Sequence, residues 1–568
     1  MSGIDSRLSS LDGNGLAVFG RACLVHFARI APSLVMRTPI SFKSNRFFMT
    51  PSFRACMKQR GPDIQEISTM SEGARPDGPS HVKAIAPETL ERERALLSDL
   101  KRKPLLRRLA GYAGLSGPGW LQAAFTLGGG TLASSLFAGT VMGYRLLWVQ
   151  PLAMICGVIM FTAVARQALN TDERPFAAVR RHVHPAMAYG WALASLLASL
   201  IWCLPQYSLS ISVVSDMLGR PLEGARSLPP SIVILGLVLL IVWNYGSSKG
   251  VKLFETLIKL CVAMIIVCFG LVVLRIPLDG SAIASGFFGF HLPVPGTHYP
   301  GWEQAAAQFT AQAAAQGQPD PRFMDRIGAS GSDILIAAGA TAVGINMTFM
   351  YPYTLRARGW TREYTGLAQF DLWTGMLIPF VVATSLIVIA AAAVLHGDAS
   401  FAQLNPASPV KASAGDLAKA IEPVTGKFFA HVVFGMGVLG MTVSSICMLH
   451  LVSGFIVCEL MGDVPGGRWY KFGMLLPSAG ILGPLVWAKY GFYLAIPTSV
   501  INFFFLPIAY ISFFVLDNRK DYLGEARPKG LRRIAWNVAM AAVIAIVATG
   551  AVYKIGQMLP DLLKKLQG

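Results

Sequence analysis

From residue 118 to residue 557, apolar runs long enough to cross a bilayer follow one another with short loops between them. Roughly 20 apolar residues span the hydrocarbon core as a helix, and lipid leaves no backbone polar group to be satisfied by water. A chain patterned this way is confined to an all-α polytopic membrane protein. Eleven spans are predicted, at 118–143, 145–168, 187–217, 231–247, 251–274, 333–355, 369–395, 428–460, 470–488, 492–516 and 534–557. They fill a domain over 111–560, with a short tail at 561–568. Composition agrees: 53% of the residues are hydrophobic and 14% charged.

The net charge of +18 invites a nucleic-acid partner, but its distribution points to a lipid bilayer instead. Lys101, Arg102, Lys103, Arg107 and Arg108 precede the first span. Arg174, Arg180 and Arg181 follow the second, Lys249 and Lys252 the fourth, and Arg356, Arg358 and Arg362 the sixth. Arg468 and Lys471 follow the eighth, and Arg519, Lys520, Arg527, Lys529, Arg532 and Arg533 the tenth. This alternation is the positive-inside pattern of a cell-membrane protein, with a cytoplasmic N-terminus and, after an odd number of spans, an external C-terminus. The eight cysteines are scattered and form no CxxC pair, so neither a zinc site nor a disulfide framework is expected. No cofactor is expected either.

Residues 1–86 read as a disordered, basic N-terminal region. Residues 1–69 carry nine Lys/Arg against four Asp/Glu, which suits an arm near anionic lipid or an organellar presequence. Met70 is an alternative start. Over 87–110, Pro87 opens a stretch with acids early and bases late, as the helix dipole prefers. An amphipathic cytoplasmic surface helix is predicted there. Residues 276–331, rich in Gly, Pro and Gln, read as an outside loop.

The chemistry concentrates at 117–135, GPGWLQAAFTLGGGTLASS, where Gly128, Gly129 and Gly130 interrupt the first span. Glycine costs about 1 kcal/mol relative to alanine inside a helix, so three together favour an unwound stretch. The sixth span, DILIAAGATAVGINMTFMYPYTL, is interrupted in turn by Gly339, Gly344, Asn346 and Pro352. Two broken spans, five apart, point to inverted five-helix repeats with a transport site between them. A small-residue packing surface is the plainer alternative. Unwinding at 128–130 would leave a half-helix N-terminus near Thr131, partly positive and rich in free N–H groups. Thr126, Thr131, Thr341, Asn346 and Gln206 would add hydroxyl and amide contacts.

Elsewhere the spans carry polar residues with two readings each. Ser208, Ser210 and Ser212 either face a cavity or bond a preceding carbonyl. Glu255 sits at helical spacing from Lys252 and Lys259. Asp371 and Glu459, near span ends, suit a solvated or capping role. His450 is either functional or a neutral imidazole bonded to a carbonyl.

These segments together resemble the natural resistance-associated macrophage protein (Nramp) family. GPGWLQAAFTLGGGTLASSLFAGTVMGYRLLW is similar to its first-span pattern GPGxL…DPGNLASxxxAGxxxGYxLLW. LFETLIKL, AGATAVGINMTF, LIVIAAAAVLHG and NFFFLPIAYISFFVLDNRKDYLG resemble its fifth, sixth, seventh and tenth spans. The resemblance implies a LeuT-like fold, spans 1–5 and 6–10 inverted, with an eleventh helix added. It also implies proton-linked transport of Mn²⁺ or Fe²⁺, but the ligands do not carry over. The family's DPGN falls on Gly128-Gly129-Gly130-Thr131, its sixth-span Met on Val343 and the nearby His on Ile345. Ala340, with its backbone carbonyl, is kept. The third-span acids fall on Cys203 and Gln206, and the tenth-span Gln on Ser499.

A dication stripped of part of its water usually needs a carboxylate nearby, and the centres of spans one and six contain no Asp, Glu or His. The residues therefore suggest a secondary transporter of a small polar or anionic solute, with no metal ligands assigned and the coupling ion open. A divalent-metal carrier with an altered site is the alternative, and a transport-inactive sensor or scaffold a third reading. No nucleophile–base pair or phosphate loop suggests an enzyme.

Overall fold

Continuous helix is lost where the sequence places its glycines and prolines, and those interruptions organise the bundle. The computed structural model describes residues 87–243, 248–294, 298–315, 323–397, 426–463, 466–487 and 495–567, with isolated positions between 415 and 423. The expectations for residues 1–86 and for the Glu255 side chain lie outside this set. Among the described residues, eight helices are long and apolar enough to cross a membrane: Val149–Asn170, Pro185–Leu218, Gly224–Trp243, Phe323–Ala357, Arg362–Leu395, Phe428–Leu460, Thr498–Asn518 and Gly530–Gly556.

Of the three remaining predicted spans, the first and ninth run in shorter pieces and the fifth is one helix. Span one is two half-helices, Pro118–Thr126 and Gly129–Met142. Span five is Ser248–Val273. Span nine runs as Arg468–Leu475, a 3₁₀ stretch Leu476–Leu482 and Gly483–Trp487. Pro477 there withholds an amide from the ladder. Near the N-terminal end, Pro104 divides the helix expected over 87–110 into Pro87–Arg102 and Leu105–Leu115.

Two further expectations are corrected. Span six begins near Phe323, ten residues before the predicted 333. The loop before it holds the helices Gly280–Phe288 and Glu303–Ala315. Asp279 caps the first of these by accepting from the Ser281 and Ala282 amides at 2.9 and 3.0 Å, and the Ser281 hydroxyl holds its carboxyl below the usual range. Trp302 is fully buried and donates from Nε1 to the Val141 carbonyl at 2.8 Å, tying this segment to the end of span one.

Span six is the centre of the bundle. In its most apolar stretch 83% of residues are buried, against 28% for span four and 22% for span eleven. Small residues allow the close crossings that helices use in lipid: a side chain on Gly139 of span one would overlap the Val388 carbonyl of span seven.

Buried charge is confined to span ends. Among the described residues, Asp371 and Asp517 are the only fully buried carboxylates, and neither is solvated. Asp371, just before a π-helical turn at Leu372–Leu377, accepts from the Ser116 hydroxyl and from the Gly119 amide at 2.6 Å. It thus caps span one's first half-helix, where an anion is favoured. Lys259 bonds the Ser116 carbonyl at 3.1 Å. Glu459, half-buried, lies 3.7 Å from Arg174. Asp517 of span ten pairs with Arg166 of span two at 2.6 Å, and the guanidinium lies 4.9 Å from the Trp536 ring of span eleven.

Removing one partner of a buried pair typically costs about 3–5 kcal/mol, whereas replacing both by apolar groups is often neutral. Arg166→Met is accordingly expected to lower the thermal midpoint of the detergent-solubilised protein sharply, and Arg166→Met with Asp517→Leu to restore most of it. Additive losses in that double-mutant cycle would show that the pair is not coupled.

Candidate functional site at the two helix breaks

The break in span one is shorter than the sequence suggested and lies earlier. The helix stops at Thr126, Leu127 and Gly128 leave helical geometry, and a new helix starts at Gly129. Gly129 and Gly130 are therefore first-turn residues, not unwound ones. Their lack of a side chain answers crowding. A Cβ on Gly128 would overlap the Ser445 hydroxyl, one on Gly130 the ring of Trp202, and one on Gly129 would lie 2.8 Å from Gln206 Oε1. Span six breaks at Val343 and Gly344, between helices ending at Ala342 and starting at Ile345. Gly339 and Pro352 lie inside those helices and break nothing.

The two breaks are bound to each other. The Thr126 hydroxyl donates to the Thr341 and Ala342 carbonyls at 2.6 and 2.9 Å. Thr131 donates its hydroxyl to the Thr126 carbonyl, and the Ser134 and Thr341 hydroxyls are 3.2 Å apart. The Gly129 amide donates to Gln206 Oε1 at 3.0 Å. That bond occupies one of the free donors the sequence assigned to an anionic cargo. Asn346 Nδ2 donates to the Ser199 hydroxyl at 3.3 Å, while its oxygen accepts from the Met347 amide at 2.9 Å.

Between the breaks lies a cavity of about 40 Å³, lined by Phe125, Thr126, Gly128, Gly130, Thr131, Trp202, Gln206, Ala340, Thr341, Gly344, Asn346, Met347, Ser445 and Leu449. A single water needs about 10–15 Å³ measured this way, so the space holds only a few water-sized groups. Oxygen donors dominate the polar lining, and no Asp, Glu, His or Cys is among the lining residues. No group of three such residues arranged to hold a metal occurs among the described residues.

Of the residues expected at the site, Gly128, Gly130, Thr126, Thr131, Gln206, Ala340, Thr341 and Asn346 line the cavity. Gly129 adjoins it through Gln206. Val343 packs toward Gly157 of span two, and Ser499 spends its hydroxyl on the Ala495 carbonyl at 2.6 Å. Neither of these two lines the cavity. The Ser208 and Ser210 hydroxyls bond the carbonyls one turn back, at 3.1 and 2.9 Å. His450 Nδ1 lies 2.9 Å from the Ile446 carbonyl.

Sequence reasoning missed Trp202, Ser445, Phe125 and Leu449. Trp202 stands one turn before Gln206, hence on the same helix face, and that spacing was available as a signal. Met347, a sulfur donor that the sequence offered without anything to position it, lines the cavity, and the Gly344 amide points at its sulfur at 3.3 Å. Nothing in the local sequence marked Ser445 apart from its neighbour Ser444.

A side chain at 130 and the Trp202 ring compete for one volume. Gly130→Leu is expected to abolish transport, and Gly130→Ala to be tolerated far better with Trp202→Ala than alone, read as folded protein by fluorescence-detected size exclusion. Equal yields of Gly130→Ala in both backgrounds would contradict the packing.

Comparison with known proteins bears on this architecture. The family profile described as natural resistance-associated macrophage protein-like matches residues 119–553. The divalent metal cation transporter MntH of Brucella suis biovar 1 is 23% identical, over 83% of this chain and 94% of its own length. MntH of Agrobacterium fabrum is 22% identical over 78% and 88%. A crystal structure of a point mutant of the Eremococcus coleocola manganese transporter superposes with a TM-score of 0.56 at 15% identity, covering 81% of this chain and 89% of that one. The LeuT-like arrangement of inverted five-span repeats plus an eleventh helix is thus the fold of this chain.

Proposed function

The chain belongs to the Nramp family of multi-pass membrane transporters, and we propose that its cargo is a divalent metal cation that keeps part of its water. The cavity at the two breaks carries this reading: it is ion-sized and its polar lining is mainly neutral oxygen. Relatives that match most of the chain are divalent metal cation transporters. Backbone carbonyls, amide oxygens, hydroxyls and retained water are the donors that hard cations accept. Uncompensated charge at low dielectric is expensive, so full dehydration is disfavoured at a site without a carboxylate. Sites with few ligand charges bind weakly, on the order of 10⁻⁴–10⁻³ M. Weak binding suits a carrier that must release what it binds.

In this reading Ala340 and Thr341 offer carbonyls, while Asn346 and Gln206 offer amide oxygens. Met347 adds a thioether sulfur, a soft donor that already accepts from the Gly344 amide. Rocking of one repeat against the other opens the cavity to alternate sides. The basic ends of the spans face the cytoplasm, in accord with the positive-inside distribution.

A small polar or anionic solute is the second reading, favoured by the absence of a carboxylate from the lining. Two observations weigh against it. The cavity is too small for a solute of several heavy atoms, and Gln206 already occupies the Gly129 amide.

The full chain in liposomes is expected to show saturable uptake of Mg²⁺ or Mn²⁺ with KM on the order of 10⁻⁴–10⁻³ M. Thermal stabilisation by a member of a carboxylate or amide metabolite panel, with no divalent uptake, would move the assignment to the second reading. The absence of both would indicate a transport-inactive protein.

A further inference from the structure

We infer that Ser445 of span eight is a cargo-binding residue, presenting its hydroxyl oxygen to the ion where a side chain at position 128 would otherwise stand. This rests on the reading of the cavity as the cargo site, and it adds span eight to the donors of spans three and six.

Ser445 is 2% exposed, lines the cavity, and its Oγ has no hydrogen-bond partner. Ser453 on the same span also lacks a partner, but it does not line the cavity. Serine and threonine inside helices ordinarily bond a carbonyl three or four residues back. On span eight, Thr442 donates to the Leu439 carbonyl at 3.1 Å and Ser444 to that of Met441 at 2.9 Å. Facing them, Ser210 donates to the Gln206 carbonyl and to Thr442. Ser445 alone among these four leaves its hydroxyl uncommitted, and that hydroxyl faces the cavity. A buried hydroxyl without a partner is unfavourable unless something supplies one. The supplier of such a contact at a cavity is its occupant.

The position is also sterically singled out. The Ser445 oxygen takes up the volume that a Cβ on Gly128 would need, with its own Cβ only 3.1 Å from that point. A side chain on the span-one break and an oxygen from span eight therefore exclude each other, and here the oxygen comes from span eight. Because it lies beside the break itself, its contact with an ion depends on how the two spans sit together, so it would report the occluded state.

The test uses the full chain in detergent and in liposomes, with Cd²⁺ and Mn²⁺ as probes. Ser445→Cys places a soft donor at the cavity, and is expected to tighten Cd²⁺ binding at least tenfold over the native chain. Ser444→Cys, on the neighbouring back-bonded position, is expected to leave it unchanged. Ser445→Ala is expected to raise KM for Mn²⁺ roughly tenfold, in line with loss of one contact to a charged group, with little change in thermal midpoint. If S445C and S444C bind Cd²⁺ alike, or Ser445→Ala leaves KM unchanged, the assignment is overturned. If the native chain takes up no divalent ion while S445C alone gains Cd²⁺ affinity, the cargo reading fails and the placement of Ser445 at an ion-accessible cavity stands.

Discussion

The site depends on a close approach that only glycine permits. At 128, 129 and 130 the backbone of span one lies against Ser445, Gln206 and Trp202, leaving no comfortable room for a Cβ at any of the three. Spans three and eight can therefore reach the break and close the cavity with their own side chains. The same crowding keeps the cavity to about 40 Å³. What fits there is decided by packing before any question of charge arises.

Charge then explains the rest of the layout. The buried carboxylates do structural work at the span ends: Asp371 caps a half-helix and Asp517 neutralises Arg166. None of the described carboxylates lines the central cavity, so a cation there would be stabilised by dipoles and by water it keeps. Oxygen dipoles held rigidly by other hydrogen bonds, as the Thr341 and Ala342 carbonyls are by Thr126, do not have to reorient when an ion arrives. Each contributes less than a carboxylate would, which ties a neutral site to low affinity.

The fold was largely legible because its signals are periodic and long. Apolar length gave the spans, and the paired interruptions at 128–130 and 344 gave the two breaks. Local errors came from assigning one cause to every glycine and proline. Gly129 and Gly130 yield to Trp202 and Gln206 rather than unwinding, while Gly339 and Pro352 remain inside helices. The site was legible only where its residues come from the broken spans. Thr126, Thr131, Ala340, Thr341 and Asn346 could be named because they neighbour the breaks. Trp202 could have been read from its spacing to Gln206, whereas Ser445 and Leu449 come from a span whose register against the breaks depends on tertiary packing, which no local pattern encodes. The anionic reading failed to anticipate that Gln206 would satisfy the Gly129 amide.

The central claim is that an ion rests between the two breaks on neutral donors. An anomalous-scattering map of the full chain crystallised with Mn²⁺ addresses it directly. The account predicts a peak inside the cavity, within coordination or water-bridged reach of Asn346, the Ala340 carbonyl and Ser445. A map with no peak there, or with peaks only beside the carboxylates at the span ends, would contradict it.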